Sequence, residues 1–465
     1  RVHQGKAPSS LSPKDPNEEE EKGGNCTRRR HPPPNAPPKP NPSTKTPIPI
    51  SIPIPMATGS RAPRRRRPRS PLTLIDDLVR EIFLRVPVDD PVTLVRGAAG
   101  CRSWRSMLSA PNFARDYRKA RSAAPVLGFL HNTTSEPEDR FASSHFVSTA
   151  AFRFRPPAYE DLSRWDVLDS RHGLALLHAP KSKRNKGFVV CDLVTSQRWK
   201  FGDPECYNVM WWPHGDHMDK RIRCSATVLC AKAQCDQLDC HGDGGPFRVA
   251  LVGTDYRNLR SHATVYSSET REWRDTISVH NLDFVNGRGN SAVVGNKVYV
   301  QCVESDKVVE YNTHEQKLSL ITLPFEDQEG IDESIDLMGV DDGSLLFASV
   351  LKAKLCLWTM EAGPGGAAGW ARRWAIELKP SLPARFLTDR ANTLVGFAEG
   401  VGVIFLSTRA GLYAIELNSG KGNKVHKGFF DKVIPYRSFC TRAIGGLADL
   451  ARAVSRRTGA SVLEQ

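Results

Sequence analysis

The sequence predicts an α+β multidomain chain: a small three-helix module, then an all-β propeller of six or seven blades, behind a disordered N-terminal tail. Three observations predict it. Residues 1–70 are too rich in proline and charge to build a core. Apolar residues recur at helical steps between Leu74 and Leu108. One hairpin design then recurs across residues 125–440.

The tail holds 16 of the 33 prolines, with 15 Lys/Arg against 5 Asp/Glu, a net of +10. The whole chain carries +14, so the other 395 residues contribute only +4. Such a tail cannot bury enough surface to offset its chain entropy. Its basicity does not sit on a folded face, so no nucleic-acid partner is expected. Arg64, Arg65, Arg66 and Arg67, beside Arg61 and Arg69, read as a solvated linker or as a nuclear-import signal. The chain starts at Arg1 and its first methionine is Met56, so residues 1–55 are expected to be an upstream extension of a shorter natural protein. Proline interrupts the apolar run Pro47–Met56 at every second or third position, which excludes a membrane-spanning helix there. Eleven cysteines without tight pairing point to a reducing compartment, nucleus or cytoplasm, rather than a disulfide framework.

In the module, expected over residues 71–120, Leu74, Ile75, Leu78, Val79, Ile82, Phe83 and Val86 give one broad apolar helix face. Thr73 can cap it, Asp76 and Asp77 suit its positive end, and Pro87 stops it. Asp90 caps a second helix with Pro91 in its first turn. A third carries Cys101, Trp104, Met107 and Leu108 and closes at Pro111. Gly97 and Gly100, near the second and third helices, weaken the module, each by on the order of 1 kcal/mol against alanine. Three short helices are too small for comfortable independent stability, so the module is expected to share its core with a partner.

From Pro125 short β-rich runs take over, among them Val126–Leu130, Gly187–Val190, Val298–Val303, Leu345–Val350 and Val403–Leu406. The repeated hairpin is clearest at Val189–Trp199 and Val265–Trp273, keeps its spacing at Val309–Leu318, and loosens around Trp358 and Leu412–Leu417. Asp192, Ser267, Asn312, Thr359 and Leu417 are then equivalent, at separations of 75, 45, 47 and 58 residues. The short spacings match one four-stranded blade. A β-sandwich pair accounts less well for the recurring turn. Residues 443–456 are expected to make one closing amphipathic helix.

The helical module resembles an F-box. The residues that carry the likeness are Leu74-Ile75-Asp76-Asp77-Leu78-Val79-Arg80-Glu81-Ile82-Phe83-Leu84-Arg85-Val86-Pro87, then Cys101-Arg102-Ser103-Trp104-Arg105. Ile75 stands where the family pattern has proline. Residues 125–440 resemble the propeller-like associated domain of plant, grass-type F-box proteins, through Trp165–Leu177, Val252–Asp255 and Gly400–Phe405. The resemblance implies a non-catalytic substrate receptor of a Skp–cullin–F-box ubiquitin ligase. Such a receptor raises the local concentration of target lysines at an enzyme carried by other subunits. It further implies that Leu74, Ile75, Leu78, Ile82, Val86, Pro87 and Trp104 meet the Skp-type adaptor or lie just behind that contact. Filling the module's own core is the competing role, evenly balanced for Leu78 and Ile82.

Other constellations carry less. Cys224, Cys230, Cys235, Cys240 and His241 lack the close-spaced cysteine pair of a zinc site, so ordinary thiols are favoured; no metal and no cofactor are expected. Asp169, Ser170 and His172 are sequence neighbours, whereas triads are assembled from distant positions; the segment reads as a turn into a strand. Gly287-Arg288-Gly289 and Gly363-Pro364-Gly365-Gly366 read as hairpin tips rather than phosphate loops. The tryptophans are expected mainly between blades. Because propellers also host hydrolases and oxidases, an active site at the central channel is the alternative function. The target protein and the loops that would hold it are not legible.

Overall fold

The computed structural model describes most of residues 76–444. The chain before 76, the chain after 444 and connecting stretches, chiefly 134–142, 150–164, 180–186, 208–223, 236–244, 324–335, 363–367 and 384–391, lie outside the described residues. The tail, the arginine run, the Gly363–Gly366 motif and nearly all of the expected C-terminal helix fall there. The chain divides between Pro71 and Leu72, and all described elements belong to the second unit.

Four helices come first: α1 (Asp76–Leu84), α2 (Pro91–Gly100), α3 (Arg102–Leu108) and α4 (Pro111–Lys119). In α2, Asp90 Oδ1 accepts the Thr93 N–H at 3.2 Å and Pro91 sits in the first turn, as the sequence suggests. Pro111 does more than close α3. It opens α4, where a missing N–H costs nothing, so the module has four helices among the described residues, not three. Phe113 and Tyr117 of α4, one turn apart, are buried. The Tyr117 hydroxyl donates to the Val86 carbonyl at 2.9 Å, which fixes α4 across the end of α1. Gly97 also reads differently in space. A Cβ there would lie 2.5 Å from the Phe83 ring, so this glycine lets α1 and α2 approach.

Twenty-four strands among the described residues form six sheets. β1 (Val126–Thr133) and β2 (Ser143–Ser148) precede blade one, which comprises β3 (Asp166–Arg171), β4 (Leu174–His178), β5 (Phe188–Cys191) and β6 (Arg198–Phe201). Blade two comprises β7 (Cys224–Cys230), β8 (Phe247–Asp255), β9 (Arg260–Ser267) and β10 (Glu272–Trp273), with β11 (Ile277–His280) also on β9. Blade three is β12 (Ser291–Val294), β13 (Lys297–Gln301), β14 (Lys307–Asn312) and β15 (Lys317–Thr322). Blade four is β16 (Asp336–Asp341), β17 (Ser344–Leu351), β18 (Lys354–Ala362) and β19 (Ala368–Glu377). Blade five is β20 (Thr393–Ala398), β21 (Val403–Thr408), β22 (Gly411–Glu416) and β23 (Gly422–His426). The last strand, β24 (Ile434–Arg437), pairs antiparallel with β1 and completes blade six in the order β2-β1-β24.

This is a six-bladed β-propeller, closed by joining the two ends of the sheet region in one blade. Dividing the strands among six small sheets leaves only short edges, and the seam in blade six ties the two ends of the ring together. Tyr436 of β24 locks the seam: its hydroxyl donates to the Gly173 carbonyl at 2.9 Å and accepts the Leu193 N–H at 3.0 Å.

Blades are covered on both faces, so inner strands such as β4, β5 and β21 are buried almost throughout instead of alternating with exposed residues. In blade one, Ala175, Leu177, Val189 and Cys191 face blade six, while Leu174, Leu176, Phe188 and Val190 face blade two. Successive residues point to opposite faces, and each face finds a neighbour. Indoles bridge the rims as well. Trp273 Nε1 of blade two donates to the Gly202 carbonyl at 2.8 Å, and Trp370 Nε1 of blade four to the Thr322 carbonyl at 3.0 Å.

The repeated hairpin is the turn between the third and fourth strands of a blade. Asp192, Ser267 and Asn312 each use a side-chain oxygen to accept an N–H two residues on. The residue four positions later, Ser196, Arg271 or Gln316, has positive φ. Two of the assigned equivalents shift. Thr359 lies inside β18, paired with Ala371. In blade five the turn starts at Glu416, whose carbonyl accepts the Gly420 N–H at 2.8 Å, not at Leu417.

Candidate functional site

Two features stand out. The first is α1. Val79 and Phe83 are buried with Leu94, Leu108, Phe113 and Tyr117, and Phe439 and Ile444 from beyond β24 join them. The module's core is therefore completed by the chain itself. The broad apolar face divides: Leu78 and Ile82, one turn apart, are 53% and 55% exposed, and Pro87 is exposed at the helix end. Val86 is buried and Trp104 is partly buried, packed edge-on against Phe83 at 5.4 Å. Of the seven adaptor candidates, Leu74 and Ile75 lie outside the described residues, Leu78, Ile82 and Pro87 form surface, and Val86 and Trp104 belong to or border the core.

The second feature lies on the propeller axis. Arg171, at the end of β3, reaches across it. Its guanidinium donates to Glu399 Oε2 and to the Ser291 carbonyl, both at 2.5 Å, and its Nε lies 3.3 Å from Asp169 Oδ2. Glu399 in turn accepts the Val340 N–H at 3.2 Å, and Asp169 accepts the Val228 N–H at 2.9 Å. Lys432, just before β24, donates to the carbonyls of Leu168 and Gly289 at 3.3 and 2.9 Å. These bonds join all six blades. Burial alone would lower the Arg171 pKa, but Glu399 and Asp169 beside it outweigh that and hold it well above its ordinary value. Burial brings Lys432 down to about 8, with the Arg171 charge adding to the effect and Asp169 opposing it.

Sequence reasoning missed this cluster because Glu399 is 228 residues from Arg171. The available signal was charge at the ends of apolar innermost strands: Asp169 and Arg171 in β3, Glu399 just after β20. The chemical potential of the network is binding and bracing, since both carboxylates already accept N–H groups.

The remaining candidates separate. Asp169 is held on the axis, while His172 has φ 56 in the β3–β4 turn and its Nδ1 lies 3.6 Å from Cys235 Sγ. Cys224 and Cys230 stand at opposite ends of β7, roughly 20 Å apart at the rise of a strand, so one ion cannot bridge them. Cys240 and His241 lie outside the described residues. Among the described residues no group of three His, Cys, Asp or Glu side chains could hold a metal. Gly289 is not at a hairpin tip: it lies in the turn leading into β12, where its carbonyl meets Lys432. A His178–Asp203 pair at 2.8 Å, with the Tyr207 hydroxyl 3.2 Å from Nδ1, was not foreseen. His178 and Tyr207 are buried, which suits bracing of the segment after β6.

No family model and no curated protein matches the chain. Similar solved structures include a Lactobacillus plantarum protein, 12% identical with a TM-score of 0.35 over 67% of this chain and 98% of the other. Another is the β-propeller domain of the Trilobed protease from Pyrococcus furiosus, 9% identical, TM-score 0.31, over 65% and 97%. A third is the dihydro-heme d1 dehydrogenase NirN, 15% identical, TM-score 0.27, over 55% of this chain and 42% of that one. The chain thus spans under half of the dehydrogenase. Likeness at this level assigns no activity; the blade count stands on the strand pairing.

Proposed function

We propose that this chain is a substrate-receptor subunit of a Skp–cullin–F-box ubiquitin ligase, docking on the adaptor through α1 and holding a target protein on the propeller. The observation that carries the reading is the exposed pair Leu78 and Ile82 on a helix whose Val79 and Phe83 are buried and whose Leu84 is half-buried. Two large aliphatic side chains one turn apart are a compact apolar contact, and they fall inside the stretch that resembles the F-box pattern. The role needs no catalytic group of its own, and it places the chain in the nucleus or cytoplasm with cullin reached through the adaptor.

Copurification of the full chain with a Skp-type adaptor tests this. Leu78→Asp and Ile82→Asp change surface residues, so thermal stability should hold while adaptor binding falls at least tenfold. Trp104→Ala discriminates less well, because Trp104 packs on Phe83. Undiminished capture by both aspartate variants, or no capture by the parent chain, overturns the reading.

A further inference from the structure

The axial network leaves a cavity of about 40 Å³ lined by Asp169, Arg171, Glu399, Lys432 and Arg437. Three cations face two carboxylates. The acceptors are committed: both Glu399 oxygens and Asp169 Oδ2 already take N–H groups. The donors are not. Lys432 Nζ uses two N–H groups, both on neutral carbonyls, and an ammonium has three. The Arg437 guanidinium, half-buried at the cavity wall, makes no hydrogen bond among the described residues. Burial lowers its pKa, with the repulsion of Arg171 adding to the effect and Glu399 opposing it. A buried site with spare charged donors and a surplus positive charge is costly unless a negative group joins it.

We propose that this axial cavity binds a small monovalent anion, a halide or a carboxylate group, between Arg437 and Lys432. Its size sets the class. One water needs at least about 10–15 Å³ by the same measure, so the space suits an ion the size of chloride or formate. The inference is independent of the receptor reading, because it concerns the propeller axis and no adaptor. Since the cations come from β24 and the segment before it, an anion here also fastens the strand that closes the ring.

The test is thermal unfolding of the full chain at constant ionic strength, with sodium gluconate replaced stepwise by sodium chloride or sodium formate. A ligand that binds only the folded state raises its stability in a saturable way. We expect Tm to rise by roughly 3–5 °C and level off, with no such rise in Arg437→Gln or Lys432→Met. Response to both salts marks a halide-tolerant site, and response to formate alone marks a carboxylate site. Should a variant fail to fold, chloride-35 NMR on the parent chain decides: line broadening at pH 7 should be reversed by formate and weaken above pH 8, where Lys432 loses its charge. A Tm response no larger than that of gluconate overturns the proposal, as does one that both variants retain or broadening that formate leaves unchanged.

Discussion

In α1, Val79 and Phe83 are buried while Leu78 and Ile82, adjacent to them in sequence, lie in solvent. In β5, all four side chains are buried. The contrast comes from the number of neighbours each element has. A helix in a small module meets packing partners on one side, whereas a blade strand meets a blade on each face. The charged residues show the reverse. In the module, Arg80 pairs with Asp116 at the surface, where such pairs add about 0–1 kcal/mol. In the propeller, Arg171, Asp169 and Glu399 pair largely out of solvent on the axis. Surface apolar residues in one region and interior charges in the other are both exceptions to ordinary partition, and each marks a candidate site.

The largest test of this contrast is truncation of matched apolar residues. Phe347 packs in the core between blades three and four and is fully buried; Phe347→Ala should cost about 3–5 kcal/mol. Leu78→Ala should stay within about 0.5 kcal/mol. Denaturant titration of both checks it, and equal losses would erase the distinction between the regions.

Next comes the axial charge. Arg171→Met removes the guanidinium that bonds Glu399 and the Ser291 carbonyl and pairs with Asp169, and should cost roughly 3–4 kcal/mol. Adding Glu399→Met should restore part of that loss, because the carboxylate oxygen left without its Arg171 hydrogen bond goes too. A double variant as unstable as the sum of the single changes would show that Arg171 acts by packing alone.

A somewhat smaller effect involves His131 of β1, which is buried against Phe430, with ring centroids 4.7 Å apart, and stacked on His145 at 5.5 Å. Burial lowers its pKa to about 4, and the charges of His145 and His426 add to this, while a backbone hydrogen bond at Asn132 opposes it. The unfolded chain takes up this proton near 6.5, before the folded one does. The stability is therefore complete above pH 6.5 and drains away as pH falls towards 4, by about 3 kcal/mol in all. The difference in unfolding free energy between the parent chain and His131→Phe, followed from pH 7 to 4, should show this slope. Parallel curves would sink the assignment.

Much of the architecture was legible because it rests on local chemistry. The Asp90 cap, the α1 stripe and the turns at Asp192, Ser267 and Asn312 each depend on residues within four positions of one another. The misreadings arose where one residue type has two uses. Pro111 ends one helix and begins the next, and Gly97 looks like a liability until Phe83 fills the space beside it. Thr359 fits the repeat by spacing alone, and β18 runs past it.

That a helical module precedes a series of repeated hairpins can be read from the residues alone, since periodicity and turn chemistry are short-range properties. The blade number needs the folded chain, because the sixth blade joins β24 to β1 across the length of the propeller. Tertiary structure alone also divided the α1 stripe into core and surface, and carried Arg171 to a carboxylate 228 residues away. Burial and charge pairing depend on what the folded chain brings alongside a residue, and those neighbours are distant in sequence.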